Sequence, residues 1–317
     1  MPHFDVTIAG ELNLDLLFYG LPREMEAERE LLASDFFLTL GSSSAILAHN
    51  LSVLGTSVGF ITRVADDGLG QLALDFLRRA HVDLSKVAEA PGTPSGLTVL
   101  LIHSHDRHIV TFPGTIVALS RHDLDVDYLT DARHFHLSSL YLQRGLIPDL
   151  PGLFRQLKQA GLGISLDTND DPDDQWHGVL DRLLPYVDVL LPNERELYKL
   201  SGMADFDTAV RHMSSRVPLL VVKRGAQGAL ACRGGEQVTT AALPVEVVDS
   251  VGAGDSFNAG FLHAYLRGED LANCLLWGNA AGALSTQGKG GIEAFRDGRL
   301  MDEFLRRCGV KRRRCDF

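Results

Sequence analysis

Residues 249–257 read Asp-Ser-Val-Gly-Ala-Gly-Asp-Ser-Phe, and they place three small residues, 252–254, directly before a helical stretch. Glycines let the backbone turn tightly and approach a ligand closely. The unpaired amides at a helix N-terminus carry partial positive charge, so this turn predicts an anion site. Asp255 would lie beside that anion, where a carboxylate can take a proton from an attacking hydroxyl.

This stretch also has interpretations other than an anion site. The simpler one is that Asp255 only caps a helix that starts near it after a glycine turn, and the stretch by itself leaves both open. The dinucleotide-binding pattern G-x-G-x-x-G is not completed here by a third glycine. The phosphate-loop pattern G-x-x-x-x-G-K-[ST] occurs nowhere in the chain.

Strand-like apolar runs alternate with helical stretches along most of the chain, which is typical of a parallel sheet covered by helices. We therefore predict an α/β fold, a three-layer α/β/α sandwich with a mostly parallel central sheet. Strands are expected at 4–9, 58–61, 135–137, 163–166, 187–191 and 219–222. Helices are expected at 44–54, 69–80, 151–159, 178–184, 204–213, 255–266 and 271–285.

One region interrupts this alternation. Residues 96–103 and 107–112 are strand-like and flank a turn at His105 and Asp106, which predicts a β-hairpin. Together with strand-like pieces within 15–40, the hairpin predicts a small sheet that covers a site as a lid. No repeat or low-complexity linker divides the chain, so we predict one domain, 1–317, with the lid from about 15–40 and 96–112.

Charge and composition argue against several classes of partner. The 317 residues contain 30 Lys and Arg against 41 Asp and Glu, a formal charge of -11. Nucleic acids and anionic membranes need clustered positive charge, and the basic run at 311–314 is interpreted as a solvated tail. The apolar runs are shorter than the ~20 residues that span a bilayer, and no basic run opens the chain. We therefore expect no nucleic-acid or membrane partner and a cytoplasmic location.

Neither the cysteines nor the histidines predict a metal site or disulfides. No C-x-x-C pair occurs, and reduced thiols are expected at Cys232, Cys274, Cys308 and Cys315. The histidines alternate as strand residues do, at His103, His105 and His108 and again at His134 and His136. A metal site needs further converging ligands, so we expect these histidines on strand surfaces.

The sequence at 249–261 resembles the C-terminal signature of the ribokinase-like (PfkB) family of carbohydrate kinases, D-[ST]-x-G-A-G-D-x-F. Residues 41–55 are similar to the family's glycine-rich loop and helix, and residues 63–83 to its G-x-D-x-x-G…G-V-D segment. Residues 193–196 match its N-x-x-E motif, and residues 223–228 resemble the loop beside the nucleotide. The resemblance spans nearly the whole chain and implies the family's fold and an ATP-dependent sugar kinase.

At the phosphate end, the resemblance implies that Asp255 is the general base. It implies that the amides of Gly252, Ala253 and Gly254 form the anion hole for the phosphoryl group. A branched residue at Gly254 is expected to block the phosphate and to need an unusual backbone conformation.

The resemblance also implies a nucleotide site with ATP and Mg²⁺ as cofactors. The implied nucleotide-binding residues are Asn193, Lys223, Gly225, Gly228 and Asn279. Glu196 is implied to hold Mg²⁺ through water. By themselves, Asn193 and Glu196 would be a helix cap and a surface glutamate, and Asn279 would be a polar residue on a helix of small residues.

For some members the family implies a monovalent cation, K⁺, beside the anion hole. The matching positions are Asp249, Val251, Ser285, Gly288 and Gly290. Most of these ligands would be backbone carbonyls, which need no particular side chain, so the residue types hardly test this site.

The acceptor end departs from the family pattern. The implied acceptor contacts are Asn13, Asp15, Gly41, Ser42, Gln143 and Asn169. Within the glycine-rich loop, Ser42 replaces a glycine and Ile46 replaces an asparagine that could bind two hydroxyls. Thr115 and Ile116 likewise stand where many members have Ala-Asn. We expect a pocket that is less polar on the side of Ile46.

Two functional classes stay open at this point. The preferred one is a kinase of a sugar or sugar-like alcohol, including nucleosides, that phosphorylates a primary hydroxyl. The alternative is a non-catalytic regulatory protein that binds a sugar or a nucleotide on the same fold. Lids of this kind often pair between subunits in the family, so a homodimer through the lid is expected.

Overall fold

The computed structural model describes residues 2–103 and 106–310. The expected turn residue His105, the basic run at 311–314 and Cys315 lie outside the described residues. The strands are β1 Phe4–Ala9, β2 Leu14–Tyr19, β3 Asp35–Leu40, β4 Val58–Ile61, β5 Arg63–Val64, β6 Ala88–Glu89, β7 Leu97–Ile102, β8 Arg107–Phe112, β9 Ala132–Leu137, β10 Gly163–Leu166, β11 Val189–Leu190, β12 Leu219–Lys223, β13 Ala229–Arg233 and β14 Glu236–Thr240. The helices are α1 Ser43–Val53, α2 Gly68–Arg79, α3 Val126–Thr130, α4 Leu150–Gln159, α5 Val179–Leu183, α6 Glu194–Ser201, α7 Phe206–Ser214, α8 Ala253–Tyr265, α9 Leu271–Ser285, α10 Glu293–Arg296 and α11 Gly298–Arg307.

The central sheet has the strand order β14-β13-β12-β11-β10-β9-β1-β4. All strands from β12 to β4 are parallel, and β13 and β14 extend the sheet as antiparallel strands. The carboxyl ends of β1, β9, β10, β11 and β12 therefore open on one edge. Ligands of open α/β sheets bind at this edge, and the candidate site lies here.

Helices cover both faces of this sheet because its inner strands are apolar on both sides. Leu219 and Val221 of β12 pack in the cluster that includes α1, α8 and α9. Leu220 and Val222 pack on the opposite face in the cluster that includes α4, α5, α6 and α7. The predicted α/β/α sandwich with a mostly parallel sheet is thereby confirmed.

The lid is a separate sheet with the strand order β3-β2-β7-β8. β7 and β8 pair antiparallel from Leu97–Phe112 to Ile102–Arg107, as the hairpin prediction requires. One face of the lid packs on the body through Leu17, Leu100 and Val251. Two polar contacts also join the lid to the loop that precedes α8. Arg107 donates to Ser250 Oγ at 2.9 Å, and the Tyr19 hydroxyl donates to Asp249 at 3.0 Å.

Several elements differ from the expectations. The strand expected at 187–191 is only Val189–Leu190, and the helix expected from 255 begins at Ala253. Helix α11 and the hairpin of β13 and β14 were not predicted, and helix α6 was anticipated only by the interpretation of Asn193 as a helix cap. The apolar pattern of α6 covers barely two turns, too short for a periodicity to stand out.

The expectation that the strand histidines lie on a surface is wrong for β9. His134 and His136 are buried, and both rings bond the Ser165 hydroxyl, at 2.8 and 2.7 Å. A parallel strand with helices on both faces has no solvent-facing side, so alternation there does not indicate exposure. In the lid, buried His103 bonds the ring of His108 at 2.7 Å.

None of the helices in the described part of the chain has the length and the apolar character that crossing a membrane requires.

Candidate active site

The turn before α8 is held in place by a close packing contact and by one carboxylate. Gly252 is the residue before the helix and has φ +71°, where a side chain would lie 2.4 Å from the Cα of Gly291. The Asp249 carboxylate accepts hydrogen bonds from the amides of Val251 and Gly290, each at 3.0 Å. The conformation that requires glycine is therefore at Gly252 and not at Gly254, whose φ is not positive.

Asp255 lies in the first turn of α8 and is not the residue that caps the helix. The carboxyl is buried beside the helix N-terminus. Burial raises the pKa of Asp255 to about 7, and the charge of Asp167 raises it further, whereas Lys223 and a hydrogen bond from Ser43 lower it. The simpler interpretation of Asp255 as a cap is thus wrong.

Asp167 follows β10 directly and links Lys223 of β12 with Asn258 of α8. The fully buried carboxylate accepts hydrogen bonds from the Lys223 ammonium and from the side-chain amide of Asn258. Lys223, which is predicted to lie in the loop beside the nucleotide, directs its side chain to Asp167. A Cβ placed on Gly254 would lie 3.8 Å from the Lys223 ammonium nitrogen, so this cation lies next to the turn that is predicted to bind an anion.

Asn193 and Glu196 form a reciprocal cap at the start of α6. The Asn193 side chain accepts from the Glu196 amide at 2.9 Å, and Glu196 accepts from the Asn193 amide at 2.9 Å. Glu196 is buried, so the alternative of a surface glutamate is wrong. Burial, followed by the charge of Asp167, raises the pKa of Glu196 to about 7.

The remaining residues of the predicted nucleotide site lie in the turn after β12 and on helix α9. Gly225 and Gly228 have φ values of +53° and +85° in the turn between β12 and β13. A side chain on Gly228 would lie 2.0 Å from the Thr240 carbonyl oxygen, so this turn packs tightly. Asn279 lies on α9, and its side chain donates to the carbonyls of Thr240 and Ala241, at 3.2 and 3.1 Å. These bonds hold the end of β14 against α9.

The positions predicted for a monovalent cation lie close together in the chain's fold. The Thr286 carbonyl accepts from the Asp249 amide at 3.2 Å, which joins this loop to the end of α9. The Ser285 hydroxyl bonds the Gly291 carbonyl at 3.5 Å, and the Ser285 carbonyl accepts from the Gly288 amide at 3.2 Å. Gly290 has φ +74° and faces Thr39 of the lid.

Asn13, Asp15 and Gly41 converge at the acceptor end. The Asn13 amide nitrogen donates to Asp15 at 3.2 Å, and a side chain on Gly41 would overlap the Asp15 carboxylate at 2.0 Å. Burial raises the pKa of Asp15 to about 7, and the nearby charge of Asp255 adds to this effect. The predicted acceptor carboxylate therefore lies near the predicted base.

The other predicted acceptor residues make contacts within the protein. Ser42 caps α1 by accepting from the Ala45 amide at 3.0 Å, and Asn169 donates to Ser43 at 3.0 Å. Buried Gln143 donates to the carboxylate of Glu11, while its own carbonyl oxygen has no hydrogen-bond partner among the described residues.

Ile46 does not form the expected apolar wall for the acceptor. It is 2% exposed, and its side chain packs beneath the turn, 3.3 Å from a Cβ placed on Gly252 and 2.7 Å from one on Gly291. Thr115 and Ile116 are also buried, at the base of the lid. The apolar residues that replace polar ones in this sequence therefore support the scaffold around the site.

Sequence reasoning missed Glu11, whose carboxylate connects Ser44 of α1 with Gln143. Its buried carboxylate accepts from the Ser44 amide and hydroxyl, at 3.2 and 2.7 Å, and from Gln143. Burial raises its pKa. A glutamate two residues after the end of the apolar strand β1 was a usable signal, because that position lies at the carboxyl edge of the sheet.

The sequence pattern of the pfkB family carbohydrate kinases matches residues 5–297. An ATP-dependent ribose-1-phosphate kinase of Halopiger xanaduensis is 30% identical over 298 residues, which cover 91% of this chain and 94% of that protein. An Arabidopsis thaliana ribokinase solved with ribose and ATP is 25% identical, with a TM-score of 0.79 over 95% of this chain and 98% of that chain. An E. coli chain described as a ribokinase II, solved with ATP and Mg²⁺, shares the fold at 24% identity, with a TM-score of 0.84 over 96% of this chain and 99% of that chain.

Proposed function

Because the chain belongs to the pfkB family of carbohydrate kinases, we propose that it transfers the γ-phosphoryl group of ATP to a hydroxyl of a sugar or sugar-like acceptor. Asp255 acts as the general base, and the amides of Gly252, Ala253 and Gly254 hold the phosphoryl group. The observation that carries this proposal is the position of the buried Asp255 carboxyl, one turn or less from the amides that begin α8.

The environment of Asp255 suits it to accept a proton. A base with a pKa near the working pH is ionised in a large fraction of molecules and still holds the proton that it receives. A pKa of about 7 gives Asp255 both properties near neutral pH. The positive end of α8 meanwhile stabilises the charge on the phosphoryl oxygens, which is the main requirement of phosphoryl transfer.

ATP and Mg²⁺ are the proposed cofactors, supported by the two ligand-bound structures that resemble this chain. Among residues 2–103 and 106–310, no three His, Cys, Asp or Glu side chains converge as a metal site. Mg²⁺ usually keeps several waters and is bound through phosphates and one or two carboxylates. The buried Glu196 near Asp167 fits that role through water, and the ion would neutralise charge on the phosphates.

The acceptor is proposed to bind Asp15 and Asn13 through adjacent hydroxyls. A carboxylate accepts hydrogen bonds from paired hydroxyls, and these two side chains already lie together against Gly41. The phosphorylated hydroxyl is proposed to be primary, because a protruding CH₂OH group reaches most easily between Asp255 and the γ-phosphate.

A coupled assay of ADP formation with ribose, ribose 1-phosphate, fructose, a sugar acid and adenosine tests this function. We expect one acceptor to stimulate ATP consumption in the presence of Mg²⁺. Asp15→Ala should then raise KM roughly 10- to 100-fold, as expected for a lost charged hydrogen bond. Asp207→Ala on the exposed face of α7 is the matched control. Binding of ATP and acceptor without turnover would instead support a regulatory protein.

K⁺ is proposed as an additional activator at Asp249, Ser285 and Gly290. The Asp249 carboxylate joins Gly290 to the turn that leads into α8, so an ion there would influence the proposed phosphoryl site. Turnover measured in K⁺, Na⁺ and a bulky organic cation at equal ionic strength tests this. Equal rates in all three would contradict it.

A cytoplasmic location and a homodimer through the lid are also proposed. Within the described residues, Cys232, Cys274 and Cys308 are unpaired thiols, which fits a reducing compartment. The lid face that carries Phe36, Val110 and Phe112 leaves these side chains 64%, 58% and 53% exposed. An apolar sheet face of this kind is buried when two copies pair.

A further inference from the structure

We infer that Lys223 is a further catalytic residue, whose ammonium group contacts the phosphoryl group during its transfer. This inference rests on the proposed function and adds a group to the anion hole that the backbone amides of 252–254 begin. The inference assigns to Lys223 a contact with the phosphoryl group, whereas Gly225 and Gly228 belong to the loop beyond the end of β12 that is predicted to lie beside the nucleotide.

The position of the ammonium group carries this inference. Lys223 is the last residue of β12, and its side chain is only 11% exposed. It reaches across the carboxyl edge of the sheet to Asp167 at the end of β10. Its nitrogen lies 3.8 Å from where a Cβ on Gly254 would lie, beside the first amides of α8.

A buried cation in this place is unfavourable for the isolated protein. The N-terminus of a helix carries partial positive charge, so it repels a cation and attracts an anion. Lys223 is held there by carboxylates: burial alone would lower its pKa, but the charges of Asp167, Glu196 and Asp255 together raise it. The Lys223 ammonium and the partly positive amides at the start of α8 lie side by side, and together they provide a site for an anion.

The number of donors on the ammonium group also fits this role. A lysine ammonium has three N–H donors, and within the described residues the Lys223 ammonium donates to the Asp167 carboxylate. The remaining donors can reach phosphoryl oxygens that the Gly254 amide also binds. Asn258 supports the arrangement, because its side-chain amide donates to the same Asp167 oxygen as Lys223 does.

The alternative is that Lys223 only neutralises the buried Asp167. A double-mutant cycle separates the two roles, with Lys223→Met, Asp167→Asn and the double variant measured on the best acceptor of the panel named above. Lys223→Met leaves Asp167 buried without its cation and can fail to fold, whereas the double variant removes both charges together.

If Lys223 contacts the phosphoryl group, the double variant stays roughly 10²- to 10³-fold below Asp167→Asn in kcat, the range seen for loss of one oxyanion donor. The KM for ATP should change less than about fivefold, because the contact forms mainly during transfer. Lys223→Arg should recover part of kcat. A double variant with the kcat of Asp167→Asn would overturn the inference.

Binding of ADP with aluminium fluoride, a mimic of the phosphoryl group in transfer, gives a second readout that needs no acceptor. The double variant should bind this mimic at least tenfold more weakly than Asp167→Asn does, while its affinity for ADP alone stays within threefold. Equal affinity for the mimic in both variants contradicts the inference.

Lys199→Met removes a surface lysine that pairs with Asp174, and it is the matched control for loss of a positive charge. Its kcat should stay within twofold of wild type. The proposed function itself fails if the wild-type protein phosphorylates no member of the panel. A wild-type kinase whose rate does not depend on Lys223 refutes this inference alone.

Discussion

At the scale of the residue, the site is a group of acids whose ionisation is held back by burial. Asp15, Asp255 and Glu196 each have a pKa raised to about 7, with burial as the leading cause. Their charges also interact, because Asp255 contributes to the shifts of the other two. The net charge of the candidate site therefore changes near neutral pH.

Replacement of Asp255 by asparagine tests the base. Asp255→Asn preserves the shape of the side chain but cannot accept the acceptor proton, so kcat should fall roughly 10²- to 10⁴-fold. ATP affinity, measured by calorimetry, should stay within a few fold. A variant that keeps more than about half of the wild-type kcat on its best acceptor would refute the role of Asp255.

The pH dependence of kcat/KM offers an independent check. The base must be ionised in the free enzyme, so kcat/KM should fall as the pH decreases below about 7, the pKa of Asp255. Asp15 and Glu196 titrate in the same range, so the observed value belongs to the coupled group. Asp15→Asn should retain a decline on the acid side, whereas a flat profile from pH 6 to 8 in the wild-type enzyme would contradict an ionised base.

At the scale of the element, the two glycines at the start of α8, Gly252 and Gly254, have different structural roles. Gly252 has a backbone conformation that disfavours a side chain, and it packs against Gly291. Gly254 lies inside the helix with room for a Cβ, near Lys223. The expectation that Gly254 is needed for its backbone conformation was therefore wrong, whereas its effect on the approach of phosphate remains a prediction.

Matched alanine variants separate these roles. Gly252→Ala should lower the free energy of unfolding by at least ~1–2 kcal/mol through its left-handed conformation alone, with more from the 2.4 Å contact. Gly254→Ala should keep or raise the melting temperature, because alanine favours a helix by about 1 kcal/mol over glycine. Its methyl group should nevertheless lower kcat by crowding the phosphoryl site. Calorimetric melting and turnover of both variants check this; equal loss of stability in the two would contradict it.

Strand β9 has a pH-dependent stability of its own. Burial lowers the pKa of His134 to about 4 in the folded protein, below the ordinary value of 6.5. Between these two values the unfolded chain binds a proton that the folded chain does not, so stability falls as the pH decreases. The loss is about 1.4 kcal/mol per pH unit, or ~2 kcal/mol at pH 5 relative to pH above 6.5.

Comparison of His134→Gln with wild type isolates this contribution from the carboxyls, whose raised pKa values act in the opposite direction. Urea unfolding at pH 7.5 and pH 5 should show a smaller loss of stability for His134→Gln, by about 2 kcal/mol. His122→Gln, at an exposed position, is the control and should match wild type. Identical losses for His134→Gln and wild type would show that His134 is protonated in the folded state.

At the scale of the whole molecule, the lid packs on the body beside the candidate site and leaves an apolar face exposed. Its inner face packs on Val251, and Arg107 and Tyr19 bond the loop that leads into α8. Its other face exposes Phe36, Val110 and Phe112. A dimer formed through this face would brace the lids over both sites.

Light scattering coupled to size-exclusion chromatography tests the proposed dimer. Wild type should elute with twice the monomer mass, and Val110→Lys should shift it to the monomer, because a charge on an apolar interface is left unpaired. Leu300→Lys, on exposed α11, is the matched control and should stay dimeric. A wild-type monomer would exclude the proposed dimer. A dimer that both variants preserve equally would place the contact on another surface.

Much of the fold and part of the site could be predicted from the sequence, because those features depend on local patterns. The alternation of strands and helices, the lid hairpin and the glycine turn before α8 all arise from residues that are near one another in the chain. The pairing of Asn13 with Asp15 is local in the same way. These features need only the backbone periodicities and the turn preferences of glycine.

The tertiary structure decided which way the side chains point and how strongly they are charged. β1 lies between β4 and β9, and β12 lies two strands from β10, so contacts such as Lys223 with Asp167 join residues far apart in sequence. The burial of His134, the packing of Ile46 under Gly252 and the raised pKa of Asp255 arise in the same way. Each depends on which layers cover a residue and on which charges come near it, and that is fixed only when non-consecutive strands assemble into one sheet.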